Sequence, residues 1–443
     1  MRHRNHHFGL LAASASGLLL LATPTLAQIT RISVDTAGLE ANAGSYDAAL
    51  SDNGQVIAFR STASNLTAID DSIHPDIFVR DLGSATTEMV SDRVTPTTRR
   101  YSLYPTISDD GQTVVMNTDF GYSAIVVHDR ASGISTIALP PSIYYAVYGR
   151  LEPSVSGNGQ FIAFYSEGTL EDTNPPEARP TIADTNFAID SFVFDRVSVP
   201  IVPVQLVSRD SAGAQSKGDS FSPTLSDDGR YVAFYSYAPT LVLGDTNEHE
   251  DVFVKDRQTG AIVMASVASD GTIGNGDSYK PVIAGGGRYV TFRSQASNLV
   301  TGDTNKHWDI FVRDMTLGAT TRVSVSSSGD QANHDSLEAD ISDDGRYVVF
   351  RSNASNLVAD DTNKRSDVFV HDRQSGQTAR VSKPVSGESN GHSTSPAISG
   401  DGNWIVFESD ATNLVSGDTN AARDIFRVPN PLAAGGPVNN GGH

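Results

Sequence analysis

The sequence predicts an all-β fold, a seven-bladed β-propeller of four-stranded antiparallel blades, closed by the N-terminal strand completing the last blade. Three observations predict it: a long unit repeats in tandem, each copy reads as four strands, and the two ends of the array are complementary. The repeat is plainest from Ser226 to Asp256, SDDGRYVAFYS followed by LGDTNEHEDVFVKD. It returns from Ala284 to Asp314 as AGGGRYVTFRS and TGDTNKHWDIFVRD, and from Ser342 to Asp372 as SDDGRYVVFRS and ADDTNKRSDVFVHD. Units of this kind cannot bury their faces alone and must stack on one another.

The first element concerns transport rather than fold. Arg2 and Arg4 precede an apolar stretch from about Phe8 to Leu21, and Thr25-Leu26-Ala27 supplies small residues for cleavage, so residues 1–27 read as a signal peptide. The stretch is shorter than the ~20 residues a bilayer span requires. The chain has no cysteine, which excludes disulfides, thiolate metal sites, cysteine nucleophiles and a lipid-modified amino terminus. We therefore expect a periplasmic or secreted monomer without membrane insertion. Loss of the two arginines takes the formal charge from −20 to −22. Such a surface repels nucleic acid and anionic lipid and attracts cations.

The propeller is expected over residues 28–428. Turn glycines at Gly54, Gly111, Gly159, Gly229, Gly287, Gly345 and Gly402 mark seven copies, spaced by 57, 48, 70, 58, 58 and 57 residues. The short interval reflects a trimmed loop after MNTDFGY. The long one holds an insertion, roughly Asp172 to Thr181, rich in proline and charge and expected in a loop. In the copy around Gly345, a first strand from Glu338 to Ser342 ends in Asp343-Asp344-Gly345, where glycine accepts the positive φ other residues resist. The second strand, Arg346 to Ser352, is apolar at both alternating sets, as a sheet covered on both faces requires. After the connection Asn353 to Ser366 come a third strand, Asp367 to Asp372, the turn Gln374-Ser375-Gly376 and a fourth strand, Thr378 to Ser382. Four-stranded units covered on both faces and repeated seven times make radial blades.

The ends close the ring. Thr30-Arg31-Ile32-Ser33-Val34 matches the fourth strand Thr321-Arg322-Val323-Ser324-Val325, whereas the last repeat stops after Asp424-Ile425-Phe426 and lacks one. Residues 429–443 are rich in glycine, proline and asparagine and are expected to be a disordered tail.

The signature S-x-D-G-[RQ]-x-[VI]-x-F-x-S followed by D-[IV]-F-V-x-D resembles the TolB-type, WD-like propeller repeats of bacterial exported proteins, across essentially the whole mature chain. The resemblance implies the fold well and the function poorly. TolB itself has six blades and a preceding α/β domain, whereas here Gln28 enters the propeller directly. The same repeat type accompanies serine peptidases of the prolyl oligopeptidase kind, whose chemistry needs an added hydrolase domain that this chain does not offer.

The most suggestive chemistry lies between second and third strands. Four blades carry Asp-Thr-Asn followed four residues later by Asp: Asp184, Asn186, Asp190; Asp245, Asn247, Asp251; Asp303, Asn305, Asp309; and Asp418, Asn420, Asp424. The sixth copy has Asp361, Asn363 and Asp367, preceded by Asp360, and the first has Asp70, Ser72 and Asp76. Alternate oxygens on a curled loop, closed by a later carboxylate, suit a hard cation, and Ca²⁺ is the expected cofactor. The glycine and bidentate glutamate of an EF-hand are absent. The competing reading is that aspartate and asparagine bond to nearby backbone N–H groups and pin the loop.

His74, His249 and His307 share one position in these loops, and His334 and His392 lie in connections on the same face. That face, with Trp308, is the expected binding surface for a protein or glycan ligand. His128 and His371, each beside a third-strand aspartate, read as structural. The strand-end aspartates Asp81, Asp129, Asp195, Asp256, Asp314 and Asp372 recur too regularly for catalysis and read as turn caps. An exported non-catalytic binding or scaffold module follows. The alternative is a propeller enzyme of polysaccharide lyase or lactonase type with a metal at the channel mouth, which requires residues that break the symmetry. Candidates are the stretch Ser142 to Tyr148 with Arg150 and Glu152, and the insertion Asp172 to Arg179.

Overall fold

A computed structural model describes residues 28–70, 74–91, 101–120, 123–139, 152–167, 185–186, 188–197 and 204–433. The proposed signal peptide and the residues after 433 lie outside this set. The described residues form seven four-stranded antiparallel sheets. The strands of blades 1 to 6 fall between residues 45 and 89, 101 and 139, 154 and 206, 220 and 264, 278 and 322, and 336 and 380, and those of blade 7 between 393 and 429, with 30–31. No helix among them is long and apolar enough to cross a membrane.

Blade 6 shows the local logic. Its strands are Ser336–Ile341, Tyr347–Ser352, Asp367–Asp372 and Gln377–Arg380, paired in sequence order. Val348, Phe350 and Phe369 pack towards blade 5 on Ile310 and Val312. Tyr347, Val349, Val368 and Val370 face blade 7 on Ile405, Phe407 and Phe426. Period-two alternation with both sets apolar therefore becomes one sheet buried on two sides. Phenylalanines opposed on the second and third strands stack in six blades, with centroids 5.5–6.0 Å apart. Blade 2 opposes Met116 and Val126 at that position.

The ring closes as expected. Thr30 pairs with Arg427 and Arg31 with Phe426, and the Ile32 N–H donates to the Ile425 carbonyl at 2.8 Å. Ordered packing runs past the expected boundary at 428. Pro429 ends the last strand, Asn430 is fully buried with its Nδ2 donating to the Gly402 carbonyl at 2.7 Å, and Leu432 and Ala433 lie on the blade 7 core. The start of the compositional tail is thus part of the propeller, because Asn430 replaces the turn that a fourth strand would have followed.

Candidate functional site

Strand order gives the wheel two unlike ends. The one-to-two and three-to-four turns lie at one end, and the longer two-to-three and four-to-one connections lie at the other. The Asp-Thr-Asn loops occupy the loop end, and their contacts are with protein. The strand-opening aspartate accepts from a serine two residues past the fourth strand: Ser91 to Asp76 at 2.6 Å, Ser208 to Asp190 at 2.5 Å, Ser266 to Asp251 at 2.5 Å, Ser324 to Asp309 at 2.5 Å, Ser382 to Asp367 at 2.6 Å and Ser33 to Asp424 at 2.5 Å. Its other oxygen takes the loop asparagine in four blades, Asn247, Asn305, Asn363 and Asn420, at 2.7–3.2 Å. The oxygens of Asn186, Asn247, Asn305, Asn363 and Asn420 accept the backbone N–H two residues on. This is the loop pin of the competing reading.

In three blades the leading aspartate is bridged to its partner by an arginine from the fourth strand. Arg322 lies 3.3 Å from Asp303 and 3.4 Å from Asp309. Arg380 lies 3.1 Å from Asp361 and 3.3 Å from Asp367, with Glu388 at 2.7 Å. Arg31 lies 3.4 Å from Asp418 and 3.7 Å from Asp424, with Glu40 at 2.5 Å. In these three blades a guanidinium thus lies between the two carboxylates. Blade 4 has Met264 at that position, facing Phe253, and burial pushes Asp251 up to about 6 and raises Asp245. Blade 1 has Met89 there and blade 3 has Leu206. Among the described residues no three His, Asp or Glu side chains come together in a way that holds a metal ion. In the described loops these carboxylates and amides are engaged by protein partners, as the pinned reading expects. Asp70 borders an open cleft with Asp35 and Asn65, and Asp184 lies outside the described residues.

The histidines serve the same connections. His249 Nδ1 is 2.7 Å from Asp277 and His307 Nδ1 is 3.0 Å from Asp335, while His307 and His334 stack at 5.0 Å. His392 Nδ1 accepts the Ser366 N–H at 3.0 Å, and His74 is exposed. His128 and His371 bond Ser135 and Thr378 at 2.8 and 2.9 Å, and burial pushes His371 down to about 4. The strand-end aspartates cap turns, as Asp129 does for Ser132 N–H at 2.8 Å and Asp256 for Gln258 N–H at 2.9 Å. The run Gly387-Glu388-Ser389-Asn390-Gly391 spells G-x-S-x-G, but it lies in a four-to-one connection with no helix after it. Ser389 is buried and donates to the Gly391 carbonyl at 3.1 Å, so this is no nucleophile elbow.

Symmetry breaks at the axis. In six first strands the ladder slips beside a non-glycine residue of positive φ: Asp47, Tyr104, Ser222, Lys280, Glu338 and Ser395. Such bulges re-aim a side chain. Here they aim it across the wheel, because Lys280 of blade 5 donates to Glu152 of blade 3 at 2.7 Å and to Ser222 of blade 4 at 3.1 Å. Glu152 was one of the symmetry-breaking candidates; Ser142 to Tyr148, Arg150 and Asp172 to Arg179 lie outside the described residues.

Beside these bulges, at the loop end, blades 3 to 5 carry a continuous arc of rings. Tyr165 meets Phe221 at 5.6 Å, Phe221 meets Tyr235 at 5.4 Å, Tyr235 meets Tyr279 at 5.2 Å and Tyr279 meets Trp308 at 5.4 Å. All five are half-buried. The Arg293 guanidinium lies 5.4 Å from the Tyr279 ring and 5.2 Å from that of Trp308. Tyr279 donates to Glu250 at 3.0 Å, and burial with that bond holds its proton on well above the ordinary range. Blades 6, 7 and 1 are charged instead: Arg351 pairs with Glu338 at 3.1 Å, Arg423 with Glu408 at 3.2 Å and Arg60 with Asp47 at 2.6 Å. Trp308 was legible as a lone aromatic, but the arc was missed. Comparing the same repeat position across copies, where Tyr165, Tyr235 and Arg293 correspond, would have found it.

At the turn end, Asp52, Asp109, Asp227 and Asp343 share one repeat position with Gly157, Gly285 and Gly400. A Cβ at Gly157 would sit 1.9 Å from Asp109 Oδ2, at Gly285 2.1 Å from Asp227 Oδ2, and at Gly400 2.3 Å from both Asp343 Oδ2 and Asp52 Oδ1. The carboxylates thus lie in space the glycines leave free. Burial first, then repulsion among the four, pushes Asp109 and Asp227 up to about 6 and Asp343 up to about 7.

No protein-family model matches the chain, and no curated protein matches its sequence. Solved structures do. An oligogalacturonate lyase in complex with manganese superposes with a TM-score of 0.54 at 13% identity, covering 92% of this chain and 94% of that one. The oligogalacturonate lyase of Vibrio parahaemolyticus gives 0.52 at 9% identity, covering 92% and 91%. TolB from Acinetobacter baumannii gives 0.44 at 14% identity, covering 78% and 67%. At these identities the likeness shows the propeller fold alone.

Proposed function

We propose that the protein is an exported, non-catalytic binding module whose ligand is a glycan held at the loop-end mouth of the axis. The observation that carries this reading is the arc from Tyr165 to Trp308, present in blades 3 to 5 of a wheel whose blades 6, 7 and 1 place charged pairs there. Flat, half-buried rings offer the faces on which pyranose rings stack, and fixed carboxylates and guanidiniums around them suit hydroxyl groups. The first test is retention on immobilised polysaccharides. Trp308→Ala is expected to weaken retention about tenfold or more, as loss of a central aromatic anchor does, with an unchanged melting curve. Retention unaffected by that change, or absent for every polysaccharide, would count against the reading.

A second reading, a propeller enzyme with a metal at the channel mouth, draws on one observation: Asp52, Asp109, Asp227 and Asp343 lie near enough to repel one another, though no three of them are grouped closely enough to hold an ion as they stand. Elemental analysis of the purified mature protein tests it. A stoichiometric divalent metal that Asp343→Asn and Asp109→Asn remove would support it, and its absence would leave the binding module.

A further inference from the structure

We infer that the mouth selects a carboxylate-bearing sugar, a uronic acid residue of a glycan, and that Arg293 is the residue that recognises it. The inference rests on the glycan reading above and narrows it to acidic saccharides. The second-strand position of Arg293 is also arginine in blades 1 and 6, and there the bulge residue supplies the counter-charge. Asp47 holds Arg60 at 2.6 Å, and Glu338 holds Arg351 at 3.1 Å. In blade 5 the bulge residue is Lys280, a cation, and it turns away to Glu152 at 2.7 Å. Arg293 consequently has neither an ion pair nor a hydrogen bond among the described residues, and its Nε is buried without a partner. The carboxylate that acts on it is Glu338 of the next blade, which Arg351 already engages at 3.1 Å, and a half-buried guanidinium without a counter-ion of its own is costly unless something else supplies one.

The surroundings say what kind of anion fits. The guanidinium lies over the Tyr279 and Trp308 rings, and a fork of N–H groups without a described acceptor suits a planar two-oxygen one. The rings continue through Tyr235 and Phe221, so the acceptor must be attached to a body with flat apolar faces. The Glu250 carboxylate, already taking the Tyr279 hydroxyl at 3.0 Å, stands ready to accept a further hydroxyl proton. A carboxylate, a flat ring and hydroxyl groups together describe a uronic acid residue. Free phosphate or sulfate satisfies only the first requirement.

Titration calorimetry of the full mature chain with trigalacturonic acid and with the neutral trisaccharide of galactose tests this. The acidic sugar is expected to bind at least about tenfold tighter, the order of a charge-assisted hydrogen-bond pair. Arg293→Gln is expected to abolish that preference, weakening the acidic sugar about tenfold more than the neutral one, with an unchanged melting curve. Lys280→Glu provides an independent variant, since it restores the partner that Glu338 gives Arg351 and is expected to quench acidic binding by occupying Arg293 internally. Equal affinity for the two sugars would overturn the inference but leave the glycan reading standing. Binding of neither sugar, or of an acidic peptide in place of both, would overturn the two together.

Discussion

Arg380 shows what a single residue contributes to the acidic loops. Its side chain is 3% exposed, as is that of Asp361, and Asp367 is fully buried. Replacing Arg380 by leucine strands two buried carboxylates, and such a loss costs about 3–5 kcal/mol. A fall in the midpoint of urea unfolding at unchanged slope would record it; a change within about 0.5 kcal/mol would show that the bridge is ornamental. The same residue marks how far the sequence could be read. Thr-Arg-Val-Ser is visible in Thr321 to Ser324 and, with isoleucine for valine, in Thr30 to Ser33, and the Asp-Thr-Asn loops are visible too. That the first reaches the second depends on three-dimensional register, since Arg322 stands opposite Phe311 across the third strand. Spacing alone left calcium and loop pinning open, because both use carboxylates at alternate positions. The structure adds the arginine contact, which spacing does not reveal.

The strand elements were legible almost to their ends, because turn glycines, opposed phenylalanines and alternating apolar residues all specify the same four-stranded sheet. The bulges were not. Tyr104, Ser222, Lys280 and Ser395 precede prolines, where a left-handed backbone is not the sequence-based expectation, yet each takes positive φ. Hence the axis-facing residues stayed hidden while the loops drew attention. The closing strand gives the prediction at this scale. Ile32 is fully buried in a cluster with Ile57, Phe59, Val406 and Ile425. Ile32→Ala is therefore expected to cost about 2–5 kcal/mol, like any interior position of the wheel. A negligible change in thermal midpoint would show the junction to be dispensable.

For the whole molecule, pH acts through the turn end of the axis. Asp343 ionises in the folded state only near pH 7, and Asp109 and Asp227 near 6, against about 4 for an unfolded aspartate. Between those limits the folded state holds more protons, so these groups favour folding fully below pH 4 and lose that contribution as pH rises through 6 to 7. Asp314 and Asp372, pushed down to about 2 by Arg288 and by burial-opposing bonds from Arg346, act oppositely, and their contribution disappears only as pH falls from about 4 towards 2. His371, depressed to about 4, also disfavours acid. Asp343→Asn isolates the axial term. The melting temperature of the variant is expected to fall less between pH 5 and pH 8 than that of the unmodified protein. Parallel curves would remove the axial carboxylates from the account.

The strap of Thr30 and Arg31 against Phe426 and Arg427 also orders events in time. Ser33 precedes its partner Asp424 by 391 residues, so during synthesis it waits unpaired until that partner has been made. Intermediate blades can stack as they appear, but the final hydrogen bonds span the largest sequence separation in the molecule. Closure is thus a late, slow and all-or-none step.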